Sequence, residues 1–184
     1  QRLREESEGW FFDIWQPEDI DEAECWPVAP GEDWHGCQEA DADHLFLDPV
    51  KVTILTPGMD EQGVMSDEGI PAALVAKFLD ERGVVVEKTG PYNLLFLFSI
   101  GIDKTRAMSL LRGLTEFKRA WDLNLRVRNM LPDLYAEDPD FYRNMRIQDL
   151  GQGIHRLIRQ HQLPRLMLQA FDVLPEMKMT PHQA

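Results

Sequence analysis

Ala107, Leu110, Leu111, Leu114, Phe117 and Trp121 recur at three- and four-residue steps. No other feature constrains the chain as much. Apolar residues at that spacing line one face of a helix of about five turns, and such a face has to be buried against something. The residues ahead of it supply the surface. Asp103 stands where an N-cap belongs. Residues 93–99 read as an apolar strand, and Gly90-Pro91 as a turn that permits an antiparallel hairpin. Val84-Val85-Val86 reads as a short buried strand with Glu87 at its end. Further upstream, Leu74, Val75, Phe78 and Leu79 form a second helical stripe. Pro71 suits its first turn, and Gly83 suits the left-handed position just past its end.

Two more β-prone stretches precede these elements. Trp10 to Gln16 is aromatic-rich and stops at Pro17, which predicts a strand. Leu45 to Thr56 predicts one or two strands interrupted at Asp48-Pro49. Between them, residues 17–43 predict a long irregular acidic loop holding Trp26 and Trp34. After the long helix, Pro132 and Pro139 act as breakers in a mixed segment. Ile147, Leu150, Ile154, Leu157, Ile158 and His161 then mark another amphipathic helix, and Leu166 to Phe171 a short last one beyond Pro164. The fold class is therefore α+β, a small mixed sheet packed by helices. The expected division is a sheet-and-helix domain over 1–124 and the helical start of a second domain over 125–184.

Charge narrows the function. The formal net charge is −13, and its distribution is uneven: residues 1–60 carry −13, residues 61–100 carry −3, and residues 101–184 carry +3. An acidic surface repels polyanions, which argues against DNA or RNA as a partner. It favours a cationic small molecule, while the C-terminal arginines can still hold a compact anion. The longest apolar run, Leu94 to Phe98, is far short of a membrane span. Two cysteines, Cys25 and Cys37, suit a reducing cytosol. With His35 and His44 they make a Cys-x9-His-x-Cys-x6-His pattern, which lacks the paired short loops of zinc sites, so no metal is expected. The chain starts at Gln1 without a secretory leader pattern and reads as a piece of something longer.

Several blocks together resemble one family. They are Gly9-Trp10-Phe11-Phe12-Asp13-Ile14-Trp15-Gln16-Pro17, Glu24-Cys25-Trp26-Pro27, Thr53-Ile54-Leu55-Thr56-Pro57-Gly58-Met59, Val86-Glu87-Lys88-Thr89-Gly90-Pro91-Tyr92-Asn93 and Phe96-Leu97-Phe98-Ser99-Ile100-Gly101. The chain resembles the bacterial Orn/Lys/Arg decarboxylases, and within them the constitutive lysine-decarboxylase branch. The resemblance runs over essentially all 184 residues. It implies an aminotransferase-like small domain and a pyridoxal 5'-phosphate cofactor, whose ring takes up the charge left by decarboxylation. It also implies cytoplasmic dimers stacked into decamers. The family's Schiff-base lysine lies in a Ser-x-His-Lys segment. None of Lys51, Lys77, Lys88, Lys104, Lys118 or Lys178 has that context, so no catalytic residue is assigned to this chain and the fragment alone is expected to be inactive.

What the resemblance does place here is recognition. A distal ammonium far from the reacting carbon calls for a carboxylate at fixed reach. Glu87 fits physically, and the family's matching glutamate is the one thought to meet the substrate's distal amine. The alternative for Glu87 is a loop glutamate paired with Lys88 or solvated. Thr89 and Tyr92 shape the same turn, and Glu8 matches an acid brought towards the active-site mouth. The positions matching Leu123, Arg126, Asn129 and Arg146 contribute, in the inducible relatives, to an inhibitory site for guanosine tetraphosphate between subunits. An arginine in a helix's first turn opposes the helix dipole and makes sense beside a bound anion. The alternative is salt bridging to the acidic segment 17–43. His155 and His161 are expected to be structural rather than ligating, and the methionines to be core fillers. Two other classes stay open: a stand-alone binding module, and an assembly element without a ligand.

Overall fold

The structure, a computed structural model, describes residues 9, 11–16, 27–32, 35, 37–39, 44–60 and 62–173. Glu8, Trp10, Cys25, Trp26, Trp34, Lys178 and most of the acidic loop lie outside the described residues. Four strands form one sheet: β1 (Asp13–Ile14), β2 (Lys51–Leu55), β3 (Lys88–Thr89) and β4 (Asn93–Leu97), in the order β1-β2-β4-β3. Each pairing is antiparallel, and the central ladder runs from Lys51 opposite Leu97 to Leu55 opposite Asn93. The α+β class stands, but the sheet is wholly antiparallel rather than mixed, because the neighbours β1-β2, β2-β4 and β4-β3 all run in opposite directions. Side chains alternate along β4 as the pleat requires, with Leu94 and Phe96 buried and Leu95 and Leu97 turned to the other face.

Two helices cover the buried face. Helix α1 (Ala72–Asp80) and helix α2 (Lys104–Asp122) bring Val75, Phe78, Leu79, Leu110, Leu114 and Phe117 onto Ile54, Leu94 and Phe96. The long stripe thus does what its spacing demands. Asp103 caps α2, its Oδ1 accepting the Arg106 N–H at 2.9 Å. Gly113 lets α2 approach α1, since a Cβ there would lie 2.6 Å from Leu79 Cδ2.

Several local expectations need correction. The strand over 10–16 is only Asp13–Ile14, because Phe11 and Phe12 leave the ladder and pack on Phe117, with ring centroids 6.4 and 6.1 Å away. Within 45–56 the ladder begins at Lys51, since Asp48 takes the Val50 and Lys51 N–H groups into a turn. Val84-Val85-Val86 is not a strand. The Val84 N–H bonds back to the Leu79 carbonyl across left-handed Gly83 (φ +74°), which closes helix α1 and leaves Val85 80% exposed. The strand falls instead on Lys88–Thr89.

Pro132 and Pro139 do not break structure; they open it. Each stands at a helix start, in α4 (Pro132–Glu137) and α5 (Pro139–Tyr142), after the short α3 (Val127–Met130). A first-turn proline lacks an N–H that would have no intrahelical partner anyway. Pro164 likewise sits in the first turn of α7 (Leu163–Asp172), which left-handed Gln162 separates from α6 (Ile147–Gln160).

One apolar cluster runs through both parts of the chain, taking in Val127, Leu131 and Ile147 with the sheet and helices α1 and α2. Two polar ties reinforce it. The Glu81 carboxylate accepts the Leu134 N–H at 3.0 Å at the start of α4. The Arg82 guanidinium lies 3.4 Å over the Phe78 ring and donates to the Phe78 and Met130 carbonyls.

Candidate substrate and regulatory site

Glu87 projects from the base of the β3–β4 hairpin. Its N–H donates to the Leu95 carbonyl at 2.9 Å, one step beyond the paired residues Lys88 and Thr89. Its side chain is exposed, and its carboxylate makes no hydrogen bond or ion pair among the described residues. The expected support, a buried valine strand, is absent; the ladder bond to Leu95 holds the residue instead. No ion pair to Lys88 forms. The hairpin turn is held from two sides: the Gly90 N–H bonds Asn93 O, the Thr56 N–H bonds Tyr92 O and the Ala72 N–H bonds Pro91 O, all at 2.9–3.0 Å. The result is an open acid on a backbone that its neighbours immobilise.

The four residues of the anionic candidate gather where the chain returns on itself. Arg126 and Arg146 are antiparallel bridge partners, and each is the N-cap of a helix, α3 and α6. Flanking bonds from Val127 N–H to Met145 O and from Ile147 N–H to Leu125 O fix the crossing. Leu123 is the exposed C-cap of α2, and the Asn129 N–H bonds back to Arg126 O. The two guanidinium groups differ. Arg146 Nη1 donates to Asn124 O at 2.8 Å, while the Arg126 guanidinium has no hydrogen-bond or ion-pair partner among the described residues. Neither guanidinium pairs with an acid among the described residues, although the Arg146 backbone N–H donates to the Asp149 carboxylate at 3.0 Å. The left-handed Asn124 (φ +46°) completes the junction, its Oδ1 accepting the Gln148 N–H at 3.2 Å.

A third constellation was readable only as two separate residues. Tyr92 and His155 are 63 positions apart, yet their Oη and Nδ1 lie 2.6 Å from each other, buried between the hairpin turn and α6. His155 Nε2 is 3.1 Å from the Ser66 carbonyl. Burial pushes the Tyr92 hydroxyl up to about 12, against a weaker downward pull from the Arg159 guanidinium. His155, not the His161 that the sequence places on the apolar stripe, lies on the buried face of α6. The clue to its partner lies in two glycines: a Cβ at Gly58 would meet the Tyr92 ring at 2.3 Å, and one at Gly69 would meet the His155 ring at 2.4 Å.

Residues 1–106 match the family described as "Orn/Lys/Arg decarboxylase, major domain". The chain belongs to the Orn/Lys/Arg decarboxylases. All 184 residues align at 86% identity with the constitutive lysine decarboxylase of Escherichia coli K12, and at 68% with the inducible lysine decarboxylase of the same strain. The chain covers 26% of each, so it spans about a quarter of those relatives' length. The solved structure of the Escherichia coli constitutive lysine decarboxylase superposes with a TM-score of 0.89 over 99% of this chain. That of the Francisella novicida lysine decarboxylase, 50% identical, gives 0.88 over 98%.

The residues present do not fit the family's cofactor attachment. A Schiff-base lysine needs an amine free to reach the aldehyde carbon. Lys51, Lys77 and Lys118 are ion-paired to Asp48, Glu81 and Asp122, and Lys88 and Lys104 are exposed. Among the described residues, no lysine lines the groove formed by residues 82–85, 96–98, 102, 106, 107, 109 and 110. Among the described residues no group of three or more metal-ligating side chains forms, and no helix is long and apolar enough to cross a membrane.

Proposed function

We propose that the whole protein is a cytoplasmic, pyridoxal-phosphate-dependent lysine decarboxylase converting lysine to cadaverine and CO₂. This chain, as its small domain (1–124) and the start of its C-terminal domain (125–184), supplies recognition rather than chemistry. Glu87 meets the distal ammonium of lysine. One observation carries this: an exposed carboxylate without a protein partner, held at the base of an anchored hairpin. Such an acid is desolvated only when something cationic arrives, and it is already in place when that happens. The likeness to lysine decarboxylases supports the same assignment.

The reactive half belongs to the remainder of the polypeptide. Large apolar side chains left in the open, such as Ile100 and Val85 beside the hairpin and Leu168 on α7, suit a chain completed by more protein, in a dimer that assembles to a decamer. In the same assembly, Leu123, Arg126, Asn129 and Arg146 form one half of an inter-subunit seat for guanosine tetraphosphate. The free Arg126 guanidinium beside the start of α6 supports that reading.

Steady-state kinetics of the full-length enzyme test the first part. Glu87→Gln keeps the side chain's size and removes its charge. KM for lysine is expected to rise about tenfold or more, the worth of one charge-assisted hydrogen bond. An unchanged kcat/KM removes Glu87 from the site. For the second part, calorimetry on the assembled enzyme should show guanosine tetraphosphate binding that Arg126→Ala abolishes; undiminished binding in that variant rejects the seat.

A further inference from the structure

The segment that carries Glu87 is short of its own support. Strand β3 is two residues long and lies at the sheet edge, paired on one side to β4. A hairpin that short does not hold its own geometry in water. Its rigidity has to come from the turn at its other end, and that turn ends in Tyr92.

Tyr92 is fastened in an unusual way. It is 2% exposed and His155 fully buried, with 2.6 Å between Oη and Nδ1. The partners settle the direction of the bonds. The Ser66 carbonyl can only accept, so in the neutral imidazole His155 Nε2 carries the proton and Nδ1 presents a lone pair. The Tyr92 hydroxyl therefore donates to Nδ1. Both rings sit in notches that glycines keep open, Gly58 under Tyr92 and Gly69 under His155. Three segments and one helix meet there: the turn after β2, the 66–70 loop, the hairpin turn and α6. From Tyr92 the ladder runs back through Leu94 opposite Thr89 and Leu95 opposite Lys88 to the Glu87 N–H on Leu95 O. Glu87 is two residues beyond Thr89, about 7 Å along an extended strand.

We infer that Tyr92 and His155 are positioning residues whose hydroxyl–imidazole bond latches the hairpin turn onto α6 and so sets the reach of the Glu87 carboxylate. The inference rests on the reading of Glu87 as the partner of the substrate ammonium. Neither residue touches substrate. The latch acts through the ladder, and α6, whose N-cap is Arg146, forms its fixed side.

The test uses the full-length holoenzyme and three variants: Tyr92→Phe, Glu87→Gln and the double variant. Tyr92→Phe keeps the ring in its notch and removes only the hydroxyl. It leaves Nδ1 without a donor, and KM for lysine is expected to rise about five- to tenfold with kcat changed less than about twofold. Hydrogen exchange at the Glu87 amide should quicken in the same variant, because its bond to Leu95 O loses its support. In the Glu87→Gln background, Tyr92→Phe should add nothing further to KM, since the latch works only through that carboxylate. A wild-type KM in Tyr92→Phe while Glu87→Gln raises it overturns the latch and leaves the reading of Glu87 standing. Fully additive effects also overturn the latch, because they place the Tyr92 contribution elsewhere. A Glu87→Gln variant with normal KM overturns the reading of Glu87 itself. Quickened exchange in Tyr92→Phe then still reports the mechanical tie between turn and strand, so the two failures are distinguishable.

Discussion

The Glu87 hairpin and the Arg126/Arg146 junction are built in opposite ways. At the hairpin the charged group has no protein partner and the surrounding backbone does the holding. At the junction Arg146 is itself part of the support, donating to Asn124 O across the chain crossing, while the Arg126 guanidinium beside it has no partner among the described residues. A side chain with a structural partner is weak evidence for a ligand, because its presence is already explained. One held open beside an anchored backbone is stronger evidence, because folding gains nothing from it. On that criterion Glu87 and Arg126 are the residues to suspect of function, while Arg146 is already accounted for by its bond to Asn124 O.

The comparison can be broken at the support. Gly69→Ala leaves Glu87 untouched but drives a Cβ to 2.4 Å from the His155 ring and 2.8 Å from Gly58 Cα. Thermal or urea unfolding is expected to show a loss of about 2–3 kcal/mol, the upper range for overpacking. A neutral outcome means the Tyr92–His155 seat is looser than these distances imply. The junction is sharpened by a pair of variants. Arg146→Ala should lose about 1 kcal/mol with its hydrogen bond, and Arg126→Ala should stay within about 0.5 kcal/mol of the parent in the same assay. Equal losses would erase the distinction between the two arginines.

A smaller effect is expected in alkali. The Tyr92 hydroxyl titrates at about 12 in the fold and near 10 when unfolded, because burial disfavours the phenolate. A raised acid favours the folded state fully below about pH 10, and that contribution disappears as pH rises through about 12. Absorbance at 295 nm should show a late tyrosine step that Tyr92→Phe removes. The same substitution should flatten the decline of stability between those two pH values.

Much of this was legible locally. The α2 stripe (apart from exposed Leu111), its Asp103 cap and the Gly-Pro hairpin turn are each written in a few adjacent residues and form as their patterns demand. The α6 face departs from its pattern: Ile147, Gly151, His155 and Ile158 are buried, while Leu157 and His161 are exposed. The acid at position 87 was legible by its neighbours in sequence. Its support was not. The valines before it looked like a strand because β-branched runs fit pleated sheets, but the Val84 N–H is taken by the end of α1. The prolines at 132 and 139 carry no mark telling a breaker from a first-turn residue; the difference lies in whether the residues after them go on to form a helix. The Tyr92–His155 bond spans 63 positions and has no periodicity to announce it. Gly58 and Gly69 were its only trace, and a glycine's reason becomes visible only with the ring that fills its space.

The central claim is that the carboxylate at position 87 reads the far end of the substrate while the reactive half lies elsewhere in the polypeptide. The most direct measurement is the ratio of kcat/KM for lysine to that for 2-aminohexanoate, which has the same carbon chain without the distal amine, in the full-length enzyme and its Glu87→Gln variant. The ratio should fall about tenfold or more in the variant, through loss with lysine alone. A ratio that stays the same, or activity that falls equally on both substrates, would contradict the claim.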